Sequence, residues 1–220
     1  MKANQPYKII LADDHTLLRD ALANLINNFD EFTVMVQAAD GSEVIKAIEN
    51  GYNVDIILMD LNMPKMDGYE TAKWIGQYHP EIKIIILTMY DSEIALIRML
   101  QAGVNGFLKK DIHPDELKNA LLTVAGGEYY YSNHTTGKLA SLFKKNPDNH
   151  FALEKSILND TEIEFLKFAS TDMTYKEIAQ AMQLTPRNID SYRDTLFTKL
   201  EVRSRVGLAI YAVRNGIIIF

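Results

Sequence analysis

The stretch Val54-Asp55-Ile56-Ile57-Leu58-Met59-Asp60-Leu61-Asn62-Met63-Pro64-Lys65-Met66-Asp67-Gly68 constrains this chain more than any other. An apolar run, Ile56 to Met59, ends abruptly on a carboxylate and is followed by a proline and an Asp-Gly pair. A short apolar run bounded by turn residues reads as a buried strand of a parallel sheet. In open α/β sheets the ligand crevice lies just past the carboxyl ends of the strands. Asp60 therefore stands where a carboxylate can meet solvent, a metal or a substrate.

Other runs repeat the pattern. Ile9-Ile10-Leu11 ends at Asp13-Asp14, Thr33–Ala39 forms a second strand, Ile82–Leu87 ends at Thr88, and Val104–Leu108 runs into Lys109-Lys110-Asp111. Between them, Leu17, Leu18, Leu22 and Ile26, then Val44, Ile45 and Ile48, recur at helical spacing. Further helices are expected through Tyr69–Ile75, Ser92–Ala102 and Pro114–Val124, with Pro opening the last and Gly126-Gly127 closing it. Strand–helix alternation repeated five times predicts a doubly wound α/β fold, a five-stranded parallel sheet ordered 2-1-3-4-5.

From Gly126 the character changes. Residues 127–155 read as a linker with a weak helix over Thr135–Lys145 and a turn-rich joint, Asn146 to His150. Beyond it the patterns are helical only, over Asp160–Ser170, Thr174–Met182, Pro186–Leu200 and Arg203–Val213. The net charge is −6, yet residues 150–220 hold nine basic and nine acidic residues, so the acidity lies in the front half. Two modules with different partners follow. With no cysteine, disulfides and thiolate metal sites are excluded. No signal peptide or membrane span is visible, and a cytoplasmic protein is the expectation.

In the 2-1-3-4-5 order, Asp13, Asp14, Asp60, Thr88 and Lys110 converge. Strand-end aspartates taken singly are commonly helix caps, but five such groups at four strand ends point to a site. Three close carboxylates need a cation, and a hard ion such as Mg2+ suits oxygen donors. Asp60, at the end of the central strand, is the candidate nucleophile for an aspartyl phosphate. Asp13 and Asp14 would hold metal, while Lys110 and Thr88 would meet the phosphoryl oxygens.

Asp13-Asp14-His15-x-Leu17-x-Arg19, Met59-Asp60-x-x-Met63-Pro64-x-Met66-Asp67-Gly68, Leu87-Thr88 and Gly106-Phe107-Leu108-Lys109-Lys110-Asp111 resemble the receiver domain of two-component response regulators, over about residues 7–126. The resemblance implies phosphorylation of Asp60 by a histidine kinase. It implies Mg2+ held by Asp14, Asp60 and the Asn62 carbonyl, with Asp13 nearby through water. It implies that Thr88 moves toward the phosphoryl group while Phe107 turns inward, and that Asn62 and Tyr90 tune the phosphoryl lifetime. Beyond self-phosphorylation and slow self-dephosphorylation no enzyme activity is expected. His15 marks a subfamily and is given no chemical role. Strand alternation selects Lys110 over Lys109 for the pocket.

Residues 174–200 have the layout of a helix-turn-helix, with Ile178, Ala179, Met182, Leu184 and Ile189 locking its helices. The bland alternative is a small helical bundle for protein contact, and the zero net charge of this half favours it. Leu158-Asn159-x-x-Glu162, Lys176-Glu177-Ile178-Ala179, Thr185-Pro186-Arg187-x-Ile189 and Lys199-Leu200-x-Val202-x-Ser204-Arg205 are similar to the LuxR-type helix-turn-helix over about 156–216, within a domain expected over 156–220. The whole chain then resembles a NarL/FixJ-type regulator that binds promoter DNA as a dimer on paired half-sites and pairs when phosphorylated. It departs from that family on the recognition helix, where Ile189-Asp190-Ser191-Tyr192 stands in place of Val-Lys-x-His and Asp194 replaces a position often basic. Arg187, Ser191, Tyr192 and Arg193 are the expected contacts to bases or phosphates, and Lys176, Lys199, Arg203 and Arg205 those to phosphates. The competing reading is an interaction module whose helix-turn-helix does not bind DNA specifically. A phosphohydrolase is disfavoured, since no second acid accompanies the cluster.

Overall fold

β-Branched runs and periodic helices alternate as read. The structure, a computed structural model, describes residues 5–89, 93–132, 158–215 and 217–218. Tyr90 and the Thr135–Lys145 helix lie outside the described residues. The described elements fall into two stretches of the chain, 5–132 and 158–218.

The first is β1 (Tyr7–Ala12), α1 (Thr16–Asn27), β2 (Phe32–Ala38), α2 (Gly41–Glu49), β3 (Ile56–Asp60), α3 (Gly68–Tyr78), β4 (Lys83–Thr88), α4 (Glu93–Gln101), β5 (Gly106–Lys109), α5 (Pro114–Ala125) and β6 (Tyr130–Tyr131). The sheet is parallel throughout and ordered β2-β1-β3-β4-β5-β6. β3 is buried along its whole length, as a central strand covered on both faces requires. One core cluster joins Ile9, Leu11, Ile56, Leu58, Ile85 and Leu108 of the sheet to Ile26 of α1 and Leu121 of α5. Ala12 pairs with Met59, Asp60 with Leu87, and Thr88 with Lys109, so the polar strand ends come level at one edge.

A sixth strand was not expected. Tyr130 and Tyr131 pair with Gly106 and Phe107, where the sequence pattern suggests the start of a linker. Two residues are too short to display a period. Aromatic β-propensity acts here through packing: Tyr130 packs on the sheet core, and the Tyr131 hydroxyl donates to the Val104 carbonyl at 3.3 Å. Burial pushes the Tyr131 phenol up to about 12.

The second unit contains α6 (Asp160–Ala169), α7 (Tyr175–Ala181), α8 (Pro186–Lys199) and α9 (Arg205–Arg214). Each start carries its own stop signal for the preceding chain. Asn159 and Thr174 close reciprocal capping boxes with Glu162 and Glu177, and Thr185 caps α8 ahead of Pro186. Ile178, Ala179 and Ile189 are buried, with Met182 and Leu184 packed against them, so α7 and α8 lock as the pattern predicts. Phe165 is the hub, fully buried with the Tyr175 and Tyr192 rings stacked at 6.2 and 6.4 Å. On α9, Leu208 is core while Val206 is 67% exposed.

Candidate functional site

The aligned strand ends bring the predicted groups together. Lys110 follows β5, its N–H donating to the Thr88 carbonyl at 3.0 Å. Its ammonium lies 2.7 Å from Asp13 Oδ2 and 2.8 Å from Asp60 Oδ2, with the side chain only 4% exposed. Alternation thus sends Lys110 into the pocket, whereas Lys109 lines a separate cavity of about 530 Å³ beside Tyr130, Tyr131 and His113. Asp13, Asp60 and Thr88 are buried; Asp14 is exposed.

Asp13 is not a helix cap. The cap of α1 is His15, which makes no side-chain capping bond. Asp13 Oδ1 instead accepts from the His15 N–H at 2.9 Å, and its main-chain carbonyl accepts from the Arg19 guanidinium. These bonds hold the carboxylate at the mouth of the pocket. His15, given no role from sequence, is also there: Nδ1 lies 2.8 Å from Asp14 Oδ1 and 3.1 Å from Asp13 Oδ1. Its adjacency to Asp14 was the available signal.

Burial pushes the Asp60 carboxyl above the ordinary carboxylate range, against the hydrogen bond and charge of Lys110; Asp13 adds to the rise and the Asn62 N–H counters it. For Lys110, burial pulls the ammonium down, but the two carboxylates outweigh it and hold it above the ordinary lysine value. Three carboxylates against one ammonium leave an excess of about two negative charges when all are ionised, which a divalent cation matches. Donor atoms of Asp13, Asp14, His15 and Asp60 all lie within 4.8 Å of one another. Opposite ligands of an octahedral Mg2+ stand about 4.2 Å apart, so the oxygen donors fit such an ion after small movements. Asn62 brings a buried amide Nδ2 with no hydrogen-bond partner among the described residues.

The loop carrying Asn62 is clasped from two sides. Gly68 opens α3 because a Cβ there would sit 2.5 Å from the Asp60 carbonyl, and its N–H donates to Leu61 O at 2.8 Å. Asp67 caps α3 in a box with Glu70. On the other side Gly41, where a Cβ would fall 1.8 Å from Thr71 Oγ1, donates to Met66 O at 3.0 Å. Beside it the buried Asp40 carboxylate accepts from Lys65 Nζ at 2.7 Å, from the Glu43 N–H at 3.0 Å and from Ser42 Oγ. Lys65 has a φ of 59°. Burial alone would raise the Asp40 carboxyl; the bonds from Lys65, Ser42 and Glu43 prevail and hold it at about 2.

A depressed carboxyl stabilises the fold above its unfolded value and loses that contribution as pH falls through its folded one. Asp40→Ala is expected to cost about 1–2 kcal/mol at pH 7. Thermal melts from pH 7 to pH 2 check this. The gap to wild type is to shrink below about pH 4, where the unfolded carboxyl binds its proton.

Phe107 is buried, 4% exposed. β5 pairs on both edges, with β4 and with β6, which satisfies its backbone while its side chains point to the two faces of the sheet.

In the second unit the expected DNA contacts separate into two groups. Lys176, Arg187, Ser191 and Arg203 are exposed. Lys199 Nζ instead reaches both Glu162 oxygens, at 3.0 and 2.7 Å. Arg205 donates to the Ala169 and Thr171 carbonyls, each at 2.8 Å, where α6 ends. Tyr192 is half-buried against Phe165. Arg193 is bonded to Asp190 and Asp194.

Comparison with known proteins agrees with this geometry. Residues 9–122 match the response regulator receiver domain, and residues 156–212 match the bacterial regulatory proteins of the luxR family. The oxygen regulatory protein NreC of Staphylococcus aureus (strain MRSA252) is 31% identical over 217 residues, covering 97% of this chain and all of that one. The transcriptional regulatory protein DegU of Brevibacillus brevis is 27% identical over 222 residues, 95% of this chain and 94% of the other. Among solved structures, RcsB of Salmonella enterica serovar Typhimurium bound to promoter rprA shares the fold, with a TM-score of 0.69 at 21% identity over 94% of this chain and 98% of that one. The family consists of transcriptional regulators rather than enzymes. This chain belongs to the response regulators, a receiver domain joined to a luxR-family DNA-binding region.

Proposed function

We propose that this DNA-binding regulator is switched by Mg2+-dependent phosphorylation of Asp60 from a histidine kinase. The observation that carries the reading is the approach of the Lys110 ammonium to both Asp13 and Asp60 within 2.8 Å, in a pocket that retains an excess of negative charge. An Asp60 oxygen attacks phosphorus, the phosphorus–nitrogen bond of the donor phosphohistidine breaks, and its electron pair stays on the imidazole. Lys110 is placed to meet the transferring oxygens, and Thr88 stands at the end of the neighbouring strand. Asp14, Asp60 and the Asn62 carbonyl would hold Mg2+, with Asp13 nearby through water, as the family resemblance implies. When bound, the ion neutralises developing charge on the phosphoryl oxygens. The unpartnered Asn62 amide is suited to a phosphoryl oxygen or a hydrolysing water, in keeping with a role in lifetime; Tyr90 is proposed for the same task on the family resemblance alone.

In this reading the chain is a receiver over 7–126, to whose sheet β6 adds Tyr130 and Tyr131, a connecting segment over 127–155 that begins with that strand, and a helix-turn-helix over 156–220, acting in the cytoplasm. Lys176, Arg187, Ser191 and Arg203 are the contacts we assign to DNA. So few phosphate contacts per copy favour a dimer on paired half-sites; solved RcsB structures include two dimers bound to two parallel DNAs.

The test is selection of genomic duplexes by the full chain with Mg2+, with and without beryllofluoride. Specific binding that appears, or tightens at least tenfold, with the mimic is the expected result. Specific binding that is equal in both states removes the switch from DNA affinity. No specific binding in either state supports the interaction module.

A further inference from the structure

The recognition helix α8 carries an arrangement that the DNA-binding assignment does not use. Arg193, the cation nearest its middle, is folded back onto the protein. Its Nη1 lies 2.8 Å from Asp190 Oδ1, and its Nε and Nη2 lie 2.9 and 2.8 Å from Asp194 Oδ1. The guanidinium carbon stands 5.5 Å from the Tyr175 ring centre on α7. The side chain is 28% exposed, while its two partners are 56 and 66% exposed. Its hydrogen bonding to the Asp194 carboxylate, with the charges of both aspartates, holds Arg193 above the ordinary arginine value. On the same helix Lys199 is turned inward to Glu162. Arg187 is then the cation of α8 with no carboxylate partner among the described residues.

We infer that the Asp190–Arg193–Asp194 fork restrains non-specific DNA binding. The inference rests on the DNA-binding reading and deepens it. A free arginine on a groove-facing helix adds a phosphate contact on any sequence, because phosphate attraction carries no sequence information. Here the arginine is satisfied intramolecularly by two carboxylates on its own helix. Swinging to DNA requires breaking both charge-assisted hydrogen bonds and leaves two carboxylates facing the backbone. The fork therefore suppresses the sequence-independent part of affinity and leaves discrimination to Arg187, Ser191 and the pairing of two modules. Both aspartates are exposed and lie outside the core, so replacing them tests the charge without dismantling the helix.

The experiment uses the full chain, with binding to a random-sequence duplex followed across a potassium chloride titration. Asp190→Asn with Asp194→Asn is expected to tighten random-duplex binding by roughly tenfold at about 0.1 M salt, and to steepen the slope of log K against log salt by about 0.9, the share of one phosphate contact. Adding Arg193→Ala to that variant is expected to cancel the change in slope, whereas Arg193→Ala alone, which leaves both carboxylates without their cation, does not tighten random binding. Equal melting temperatures confirm that the fold is intact. The inference is overturned if the double variant binds random duplex no more tightly, or if it loses affinity only for duplexes the wild type selects. The latter would make the aspartates readers of cytosine amino groups. If wild type selects no duplex at all while the double variant still tightens on random DNA, the fork stands and specific promoter binding is what fails.

Discussion

Asp60→Asn is expected to reduce phosphoryl incorporation from a small-molecule donor or a histidine kinase by roughly 10³-fold or more, the scale of losing an essential catalytic group. The same substitution is expected to raise, not lower, the melting temperature of the metal-free protein near pH 7. Burial is the main cause of the raised Asp60 carboxyl, with Asp13 adding to it. For an acid whose folded pKa exceeds its unfolded one, the fold prefers the neutral form. The cost of ionisation is absent below the unfolded value and fully present above the folded one. A neutral amide removes that cost, and Lys110 keeps Asp13 as its partner at 2.7 Å. Melts in chelator at neutral pH and near pH 3 check the sign, since the advantage of Asn disappears in acid. Added Mg2+ supplies the second arm. At about 100 times its dissociation constant a ligand adds about 2.7 kcal/mol to the state that binds it. Wild type is expected to gain from Mg2+ and the variant to gain much less. A variant that is less stable without metal would mean that the Asp60–Lys110 contact outweighs the desolvation of Asp60. Retained phosphorylation at full rate would move the acceptor elsewhere.

What could be read before the structure was local and periodic. The run into Asp60, the alternation that separates Lys110 from Lys109, and the helix start at Thr185-Pro186 are each contained in a few neighbouring residues, and strand ends in a doubly wound sheet bring the first two to one edge. What could not be read was the direction of long side chains and pairings without a period. Asp40 and Lys65 are 25 residues apart, and nothing local in either stretch announces the other, although together they clasp the loop that follows Asp60. Two tyrosines cannot show an alternation, so β6 carries no periodic signal in the sequence. The basic residues of the second unit were legible as charges but not as orientations. A lysine stem can lie along the fold in either direction, and Arg205 spends its donors on the carbonyls at the end of α6.

Lys199 is the sharpest instance of that ambiguity, and its substitution has the largest expected effect on stability. Read as sequence, Lys199 sits near the end of a recognition helix and suits a phosphate. In the fold its ammonium meets both oxygens of Glu162, with the two side chains 16 and 6% exposed. Glu162 also accepts from the Asn159 N–H at 2.8 Å to close the capping box of α6. The pair thus ties the start of α6 to the end of α8 across the core around Phe165. Among the described residues, Lys199→Ala leaves a buried carboxylate with only its capping bond, a change that costs about 3–5 kcal/mol. Small domains hold about 5–15 kcal/mol in all, so a large fall in the melting transition of this unit is expected. Glu162→Gln combined with Lys199→Met removes both charges and is expected to recover much of the loss. Lys176→Ala, at an exposed position on α7, is the control: its melting temperature stays near wild type while its DNA affinity falls with a salt slope shallower by about 0.9. If Lys199→Ala behaves as Lys176→Ala is expected to, keeping its stability while its DNA affinity and salt slope fall, Lys199 leaves Glu162 to bind a phosphate and the inward ion pair contributes little to the fold.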